Sequence, residues 1–271
     1  MLTTEELVEK IKAEAPKITL HNEELGISTE RYIVEGDLAL SEERLLPYAA
    51  ERVDLARRAR EDPEVQKRGL VAIEVDGKIL RWARGKVLTY CVRRGSFGSE
   101  DEYQRVVRDM RFATADWSAL CGVSFFHREE LDHAPDFQPG DVVFPVLRQA
   151  GGGNTIAVAF FPDDPPADRF VIIFDGYFSS GPGAFDPVGV LRHELGHVLG
   201  FRHEHIRPEA AGLFHPEDTD HIHLLTDYDP TSVMHYIGHG VGDPQLRFTA
   251  ADRAGAVEVY GEPDSAFTFV D

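Results

Sequence analysis

The sequence predicts a mixed helix-and-sheet fold of the α+β, enzyme-like kind, and three observations predict it. Short apolar runs at residues 70–75, 79–82, 86–93, 122–127, 141–147, 155–161 and 169–174 read as strands. One long segment opening at Ser99 has helical periodicity, with Tyr103, Val106, Val107, Met110, Ala113 and Trp117 on one side. A second helix starts near Asp186-Pro187, and a loop-rich end follows. Strands, helix, strands, helix and loops together make an α/β or α+β layout.

The elements follow in order. Residues 4–14 form a short helix capped by Thr3 or Thr4, with Leu7 and Ile11 on one face, and Pro16 ends it. Residues 30–40 are extended and interrupted by the turn pair Gly36-Asp37. Residues 41–60 are helical, and Pro47 either kinks that helix or marks its start. The charged stretch 61–69 is a loop and a candidate boundary. It separates a 1–70 extension from a main domain at 71–271. Residues 70–75 and 79–82 form a hairpin across Asp76-Gly77. Pro145 puts strand 141–147 at an edge or a bulge. Thr249 and Asp252 open the last helix, about 250–260, with a variant of the capping box.

Composition bounds the function. The chain has 271 residues, 42% of them apolar, enough to build a core. Its 28 basic and 47 acidic residues leave a formal charge of −19, which argues against nucleic-acid and anionic-membrane partners. No apolar run approaches the ~20 residues that span a bilayer. The polar, acidic N-terminus lacks the basic start and apolar middle of a signal peptide. The expectation is a cytoplasmic protein, or one exported by a non-classical route. Cys91 and Cys121 fit no zinc spacing, and either one disulfide or two buried thiols is open to them.

Residues 193–204 read HELGHVLGFRHE. His193 and His197 are four apart on a helix, so both imidazoles leave the same face and can hold one ion. Glu194 can reach a water on that ion and take its proton. Gly200 can adopt a positive φ and stop the helix, and the chain then turns so that His203 supplies a third nitrogen. Three protein ligands leave a position open, as in a catalytic rather than a structural zinc site. Downstream, TSVMHY holds Met234, which by resemblance to the methionine turn of the metzincin clan would floor the ligand imidazoles with its thioether.

These segments resemble the metzincin zinc metalloproteases, and most closely the astacin family. Glu204 extends the zinc segment to HExxHxxGxxHE, and Ser232–Tyr236 match the family's SxMHY turn. The looser likeness covers about 80–260. It includes Trp82 and the helix ending in Asp116-Trp117. The resemblance implies a metzincin-type α+β fold: a twisted mixed sheet with two long helices at 71–203, and a small irregular C-terminal subdomain at 204–271. It implies a zinc endopeptidase acting on peptide or protein substrates, with Glu194 as base. It makes Tyr236 a displaceable zinc ligand that turns to the reaction intermediate, and has Glu204 contact a mature N-terminus. Strand 155–161 would edge the cleft. The family's paired disulfides are absent, and AVAFFPDD (157–164) with Phe174-Asp175 is more like a matrixin.

Val34-Glu35-Gly36-Asp37 partly matches the astacin pro-segment pattern F-x-G-D, with Val for Phe. Asp37 is therefore a candidate latency switch and 1–70 a candidate pro-region, the alternative being a plain Gly-Asp turn. Asp163, Asp164 and Asp168 form either a calcium site or a solvated acidic loop. His205, His215, His221, His223, His235 and His239 read as surface or supporting residues, with His205 and His235 placed to orient neighbours. The rival to an enzyme is a catalytically silent zinc-binding interaction module. Loss of the base would mark it, and Glu194 is present.

Overall fold

The structure, a computed structural model, describes residues 3–22, 27–34, 36–61, 69–75, 78–179, 184–204, 222–235 and 241–263. Helix α1 (Thr4–Glu14) starts at Thr3, whose side chain and Glu6 form a reciprocal capping box. Strands β1 (Lys17–Asn22), β2 (Ile27–Val34) and β3 (Leu38–Leu40) make an antiparallel meander. Helix α2 (Glu42–Glu61) runs through Pro47 rather than starting there. Strands β4 (Gly69–Val75) and β5 (Lys78–Ile79) form the expected hairpin.

The main sheet has five strands in the order β7-β6-β8-β10-β9: Ser124–His127, Val87–Val92, Phe144–Arg148, Val171–Ile173 and Ala157–Val158. Its first four strands are parallel neighbours and β9 is antiparallel at the edge, so the sheet is mixed. Strand β8 is interior, which corrects the edge position expected from Pro145. The Arg93 N–H bonds to the Val146 carbonyl, so Val146 faces β6 and Pro145 faces the other neighbour. Pairing with that neighbour, β10, begins only at Val146↔Val171, and no ladder bond is lost at the proline.

Helix α3 (Glu100–Leu120), capped by Ser99, lays the expected apolar stripe on the sheet. Helix α4 (Pro187–Val198) packs against it, tied by Trp117 Nε1 donating to the Arg192 carbonyl at 2.9 Å. Strands β11 (Phe201–Arg202) and β12 (Ile222–Thr226) both pair with β4, and α5 (Ala250–Tyr260) covers that small sheet. The sequence reading missed β1, β11 and β12. Cys91 and Cys121 are buried and unpaired, and burial pushes both thiols up to about 12.

The N-terminal elements have their own cores. Leu38, Leu40, Leu45 and Ala49 pack with Ile73 and Phe161, and Leu20 and Ile33 pack on Leu147, Val158 and Ile172. The described residues between 3 and 50 thus lie against the strand edge that flanks α4. Among the described residues no helix is long and apolar enough to cross a membrane.

Candidate metal centre and cleft

Asp186 caps α4 by accepting from the Gly189 N–H, and Pro187 occupies the first turn, where its missing N–H costs nothing. The helix ends at Gly200, at φ +92, where a Cβ would stand 2.7 Å from the Leu80 carbonyl oxygen. Only glycine suits both the conformation and the space. The last carbonyls are satisfied from outside: Trp82 Nε1 donates to Val198 at 2.7 Å and the Tyr260 hydroxyl to Leu199 at 2.6 Å. The reversal through β11 delivers His203.

The three predicted ligands converge. His203 Nε2 lies 3.1 Å from His197 Nε2 and 3.2 Å from His193 Nε2. Tetrahedral ligands about 2.0–2.1 Å from one ion stand roughly 3.3 Å apart, so the spacing suits zinc. The ring orientation is set from behind. His193 Nδ1 bonds the Val233 carbonyl at 2.7 Å, and His197 Nδ1 bonds the Phe201 carbonyl at 2.9 Å, which leaves each Nε2 lone pair for a metal.

Asp37 completes the group. It follows Gly36, at φ +90, in the β2–β3 turn, and its Oδ2 stands 3.2 Å from His193 Nε2 and 3.1 Å from His203 Nε2. Its Oδ1 is 3.7 Å from His197 Nε2. All four residues are buried, and their ligand atoms lie within 4.8 Å of one another. Lone pairs of four buried groups facing one point repel unless a cation stands between them. The donor set therefore fits a resident zinc ion.

Burial would raise the Asp37 carboxyl, but the facing histidines, His203 first, hold it well below the usual carboxylate range. Burial lowers His197 to about 4, keeping it neutral. Burial, and then the charge of Asp37, push Glu194 well above its ordinary value. A carboxyl with raised proton affinity suits a proton carrier.

Met234 lies beneath the centre. It is fully buried, and its Sδ would be 2.3 Å from a Cβ added at Gly196, between the two helical ligands. Sequence reading missed the residue that holds this turn. Asp252, seen only as a helix cap, accepts from the Ser232 hydroxyl at 2.5 Å, the Val233 N–H at 3.0 Å and the Thr249 N–H at 2.9 Å. Since Val233 anchors His193, Asp252 links α5 to a metal ligand. Glu204 is buried and accepts from the Asp229 N–H at 2.9 Å. His235 is buried with Nε2 2.9 Å from the Tyr228 hydroxyl. Tyr236, His205, His215, His221 and His239 lie outside the described residues.

The N-terminal segment occupies the cleft edge. Leu38 bridges Ala159 in parallel, and the Thr155 hydroxyl donates to the Gly36 carbonyl at 3.1 Å. The three acidic residues considered for calcium pair with arginines of this segment. Arg44 meets Asp163 at 2.8 Å and Asp164 at 3.1 Å, and Arg31 pairs with Asp168. A cavity of about 400 Å³ opens beside His193 and Glu194.

No family model matches the chain. It is 30% identical over 116 aligned positions to zinc metalloproteinase nas-39 of Caenorhabditis elegans, covering 31% of this chain and 12% of that protein. It is 40% identical over 67 positions to a bone morphogenetic protein 1 homolog of Strongylocentrotus purpuratus, covering 19% of this chain and 10% of that one. The chain thus spans about a tenth of the length of these relatives. Among solved structures, high choriolytic enzyme 1 of Oryzias latipes, a hatching-enzyme zinc protease, aligns at TM-score 0.46 and 18% identity, over 70% of this chain and 99% of that one. Over the part aligned with nas-39 the chain is similar to a protein named as a zinc metalloproteinase, and its Asp37, His193, His197 and His203 form a group that could hold a metal ion.

Proposed function

We propose that this protein is a zinc-dependent endopeptidase whose own residues 1–70 hold it latent over a 71–271 catalytic domain. The observation that carries the reading is the convergence of Asp37 on His193, His197 and His203, across 156 residues of chain from the first of them. Three histidines alone leave a position for water, and a carboxylate in that position closes it. When bound, zinc supplies Lewis-acid polarisation of a peptide carbonyl and acidifies water at neutral pH. His193, His197 and His203 hold it. Glu194 takes a proton from water and returns it to the leaving amine. Tyr236 supports the developing oxyanion, a role that rests on the SVMHY sequence. An extended peptide lies along 155–161 in place of residues 36–38, making main-chain bonds to the strand edge. Met234 keeps the imidazoles in register from below. The net charge of −19 speaks against nucleic acid or an anionic membrane as partner.

Casein hydrolysis by the zinc-loaded chain tests this, with the intact chain, a chain nicked by limited proteolysis, Asp37→Ala and Glu194→Ala side by side. Cleavage should rise on nicking and in Asp37→Ala, and vanish in Glu194→Ala. Equal activity of intact chain and Asp37→Ala would end the latency reading. No cleavage in any form with stoichiometric zinc would end the enzyme reading.

A further inference from the structure

We infer that Asp163 and Asp164 form a subsite for a basic side chain of the substrate, an arginine or lysine lying past the Ala159 end of the cleft. The inference deepens the endopeptidase reading and rests on it. The two acids follow the cleft edge directly. Leu38 of the N-terminal segment bridges Ala159, and two residues on, the Phe161 ring meets the His197 ring edge-on at 5.6 Å. Asp163 comes two residues after Phe161, so their Cα atoms are at most about 7 Å apart. Arg44 shows what the pair holds. It lies in the first turn of α2, in the segment that fills the cleft, and not in the loop that carries the acids. Its Nη2 meets Asp163 Oδ2 at 2.8 Å while its Nε meets Asp164 Oδ1 at 3.1 Å. One guanidinium thus spans two carboxylates, which its planar fork of donors is shaped to do.

The loop carrying the acids is fixed by bonds that do not involve Arg44. Asp164 Oδ2 accepts from the Phe161 N–H at 2.7 Å, and the Asp164 N–H donates to the Phe161 carbonyl at 2.9 Å. Arg169 donates through Nε to the Asp164 carbonyl at 2.8 Å and through Nη2 to the Pro162 carbonyl at 3.2 Å, with its guanidinium 5.1 Å from the Trp82 ring. Those bonds hold main chain and leave Asp163 Oδ2 and Asp164 Oδ1 turned toward the segment. Asp168, further along the same loop, pairs with Arg31 of that segment. When the segment leaves, both its arginines leave with it. Asp163, Asp164 and Asp168 then stand against Arg169 and Arg202, and the surplus charge is negative. Burial pushes the Asp164 carboxyl up to about 6, with Arg44 among the opposing causes. A carboxylate that burial penalises gains from a cation brought to it. An acidic substrate side chain would meet like charge at both acids, and an apolar one would strip their water and return no partner.

The test is hydrolysis of matched peptides by the zinc-loaded chain nicked by limited proteolysis. The peptides differ only in carrying Arg, Lys, Gln or Glu at one position, which is scanned outward from the cut on both sides. On one side, about two to four residues from the cut, kcat/KM should be about tenfold higher for Arg and Lys than for Gln, and lowest for Glu. Asp163→Asn with Asp164→Asn should bring the Arg-to-Gln ratio close to one. Asp163→Asn alone, at the more exposed of the two acids, should lower it part of the way. Asp163→Lys with Asp164→Asn should invert the order and favour Glu, and an inverted order requires a folded site. No basic preference in the parent, or a preference that all three variants keep, overturns the inference. Calorimetric binding of the same peptides separates the two readings if nothing is cleaved. An Arg-over-Gln binding preference that the double Asn variant loses leaves the subsite standing and removes the endopeptidase. Cleavage without a basic preference on either side of the cut removes the subsite and leaves the endopeptidase.

Discussion

Gly196→Ala sets two effects of similar size against each other. Gly196 lies within α4, between His193 and His197. Helix propensity alone favours alanine there by about 1 kcal/mol. The new Cβ, however, would stand 2.3 Å from Met234 Sδ and 3.0 Å from its Cε, with Trp117 Cζ2 at 3.5 Å. Comfortable contacts are about 3.5–4.0 Å, so the thioether must move by more than an ångström. Met234 and Trp117 are both fully buried, and the displaced sulfur has no open space to enter. Overpacking of this kind costs roughly 1–3 kcal/mol, which outweighs or cancels the helix gain. Because the helix and the turn beneath it must part, the two imidazoles shift, and zinc affinity should fall about 10–100-fold. Urea unfolding and chelator competition measure the two quantities. In a Met234→Ala background the clash is gone, and the same substitution should become stabilising by about 1 kcal/mol, a coupling of roughly 1–3 kcal/mol. If Gly196→Ala raises stability with unchanged zinc affinity in the parent chain, the methionine is not pressed against the zinc helix and the reasoning fails.

Other perturbations test separate parts. Asp252→Ala strands three donors, Ser232 Oγ and the Val233 and Thr249 N–H groups, and should cost at least about 3 kcal/mol while weakening zinc binding; unchanged chelator competition would show that the turn does not steer His193. Burial, opposed by the Phe161 N–H and Arg44, raises the Asp164 carboxyl to about 6. The native state therefore holds this proton more tightly than the unfolded chain, so stability falls as pH rises from about 4 to 6, and the loss persists at neutrality. Asp164→Asn should raise the unfolding free energy measured in urea at pH 7.5, by no more than about 3 kcal/mol for roughly two units, and gain nothing near pH 4; an equal gain at both would assign it to packing. Arg31→Ala with Arg44→Ala removes the ion pairs to Asp168, Asp163 and Asp164, and should speed nicking and raise casein hydrolysis by the intact chain; identical rates would mean that the meander is held by its apolar contacts alone.

What could be read from the sequence follows the distance over which each contact acts. Helix α4 announces its own ligands, because His193 and His197 share a face through local geometry and Gly200 must turn the chain toward His203. Caps at Thr3, Ser99, Asp186 and Thr249 are equally local and appear where the spacing puts them. Strands β11 and β12 carry no such local mark. They exist through pairing with β4, more than a hundred residues earlier. Pro145 was misplaced for the same reason: its tolerance depends on where β10 begins to pair, which no neighbour in sequence reveals.

Asp252 shows the limit most clearly, since one carboxylate does two jobs. Its bond with Thr249 is local and explains the residue completely as a cap, while its bonds to Ser232 and Val233, 20 and 19 residues back, are what connect it to a metal ligand. A satisfied local explanation conceals a distant role. Asp37 is the opposite case. Gly36 at positive φ accounts for a turn, but nothing local accounts for an acid 8% exposed at its tip. Burying a carboxylate without a partner is costly enough that a distant one had to exist. The three histidines are that partner, 156 to 166 residues away. Buried charge at a tight turn, rather than the partial likeness of Val34–Asp37 to a pro-segment pattern, is thus the physical sign that the N-terminal segment and the metal centre fold as one unit.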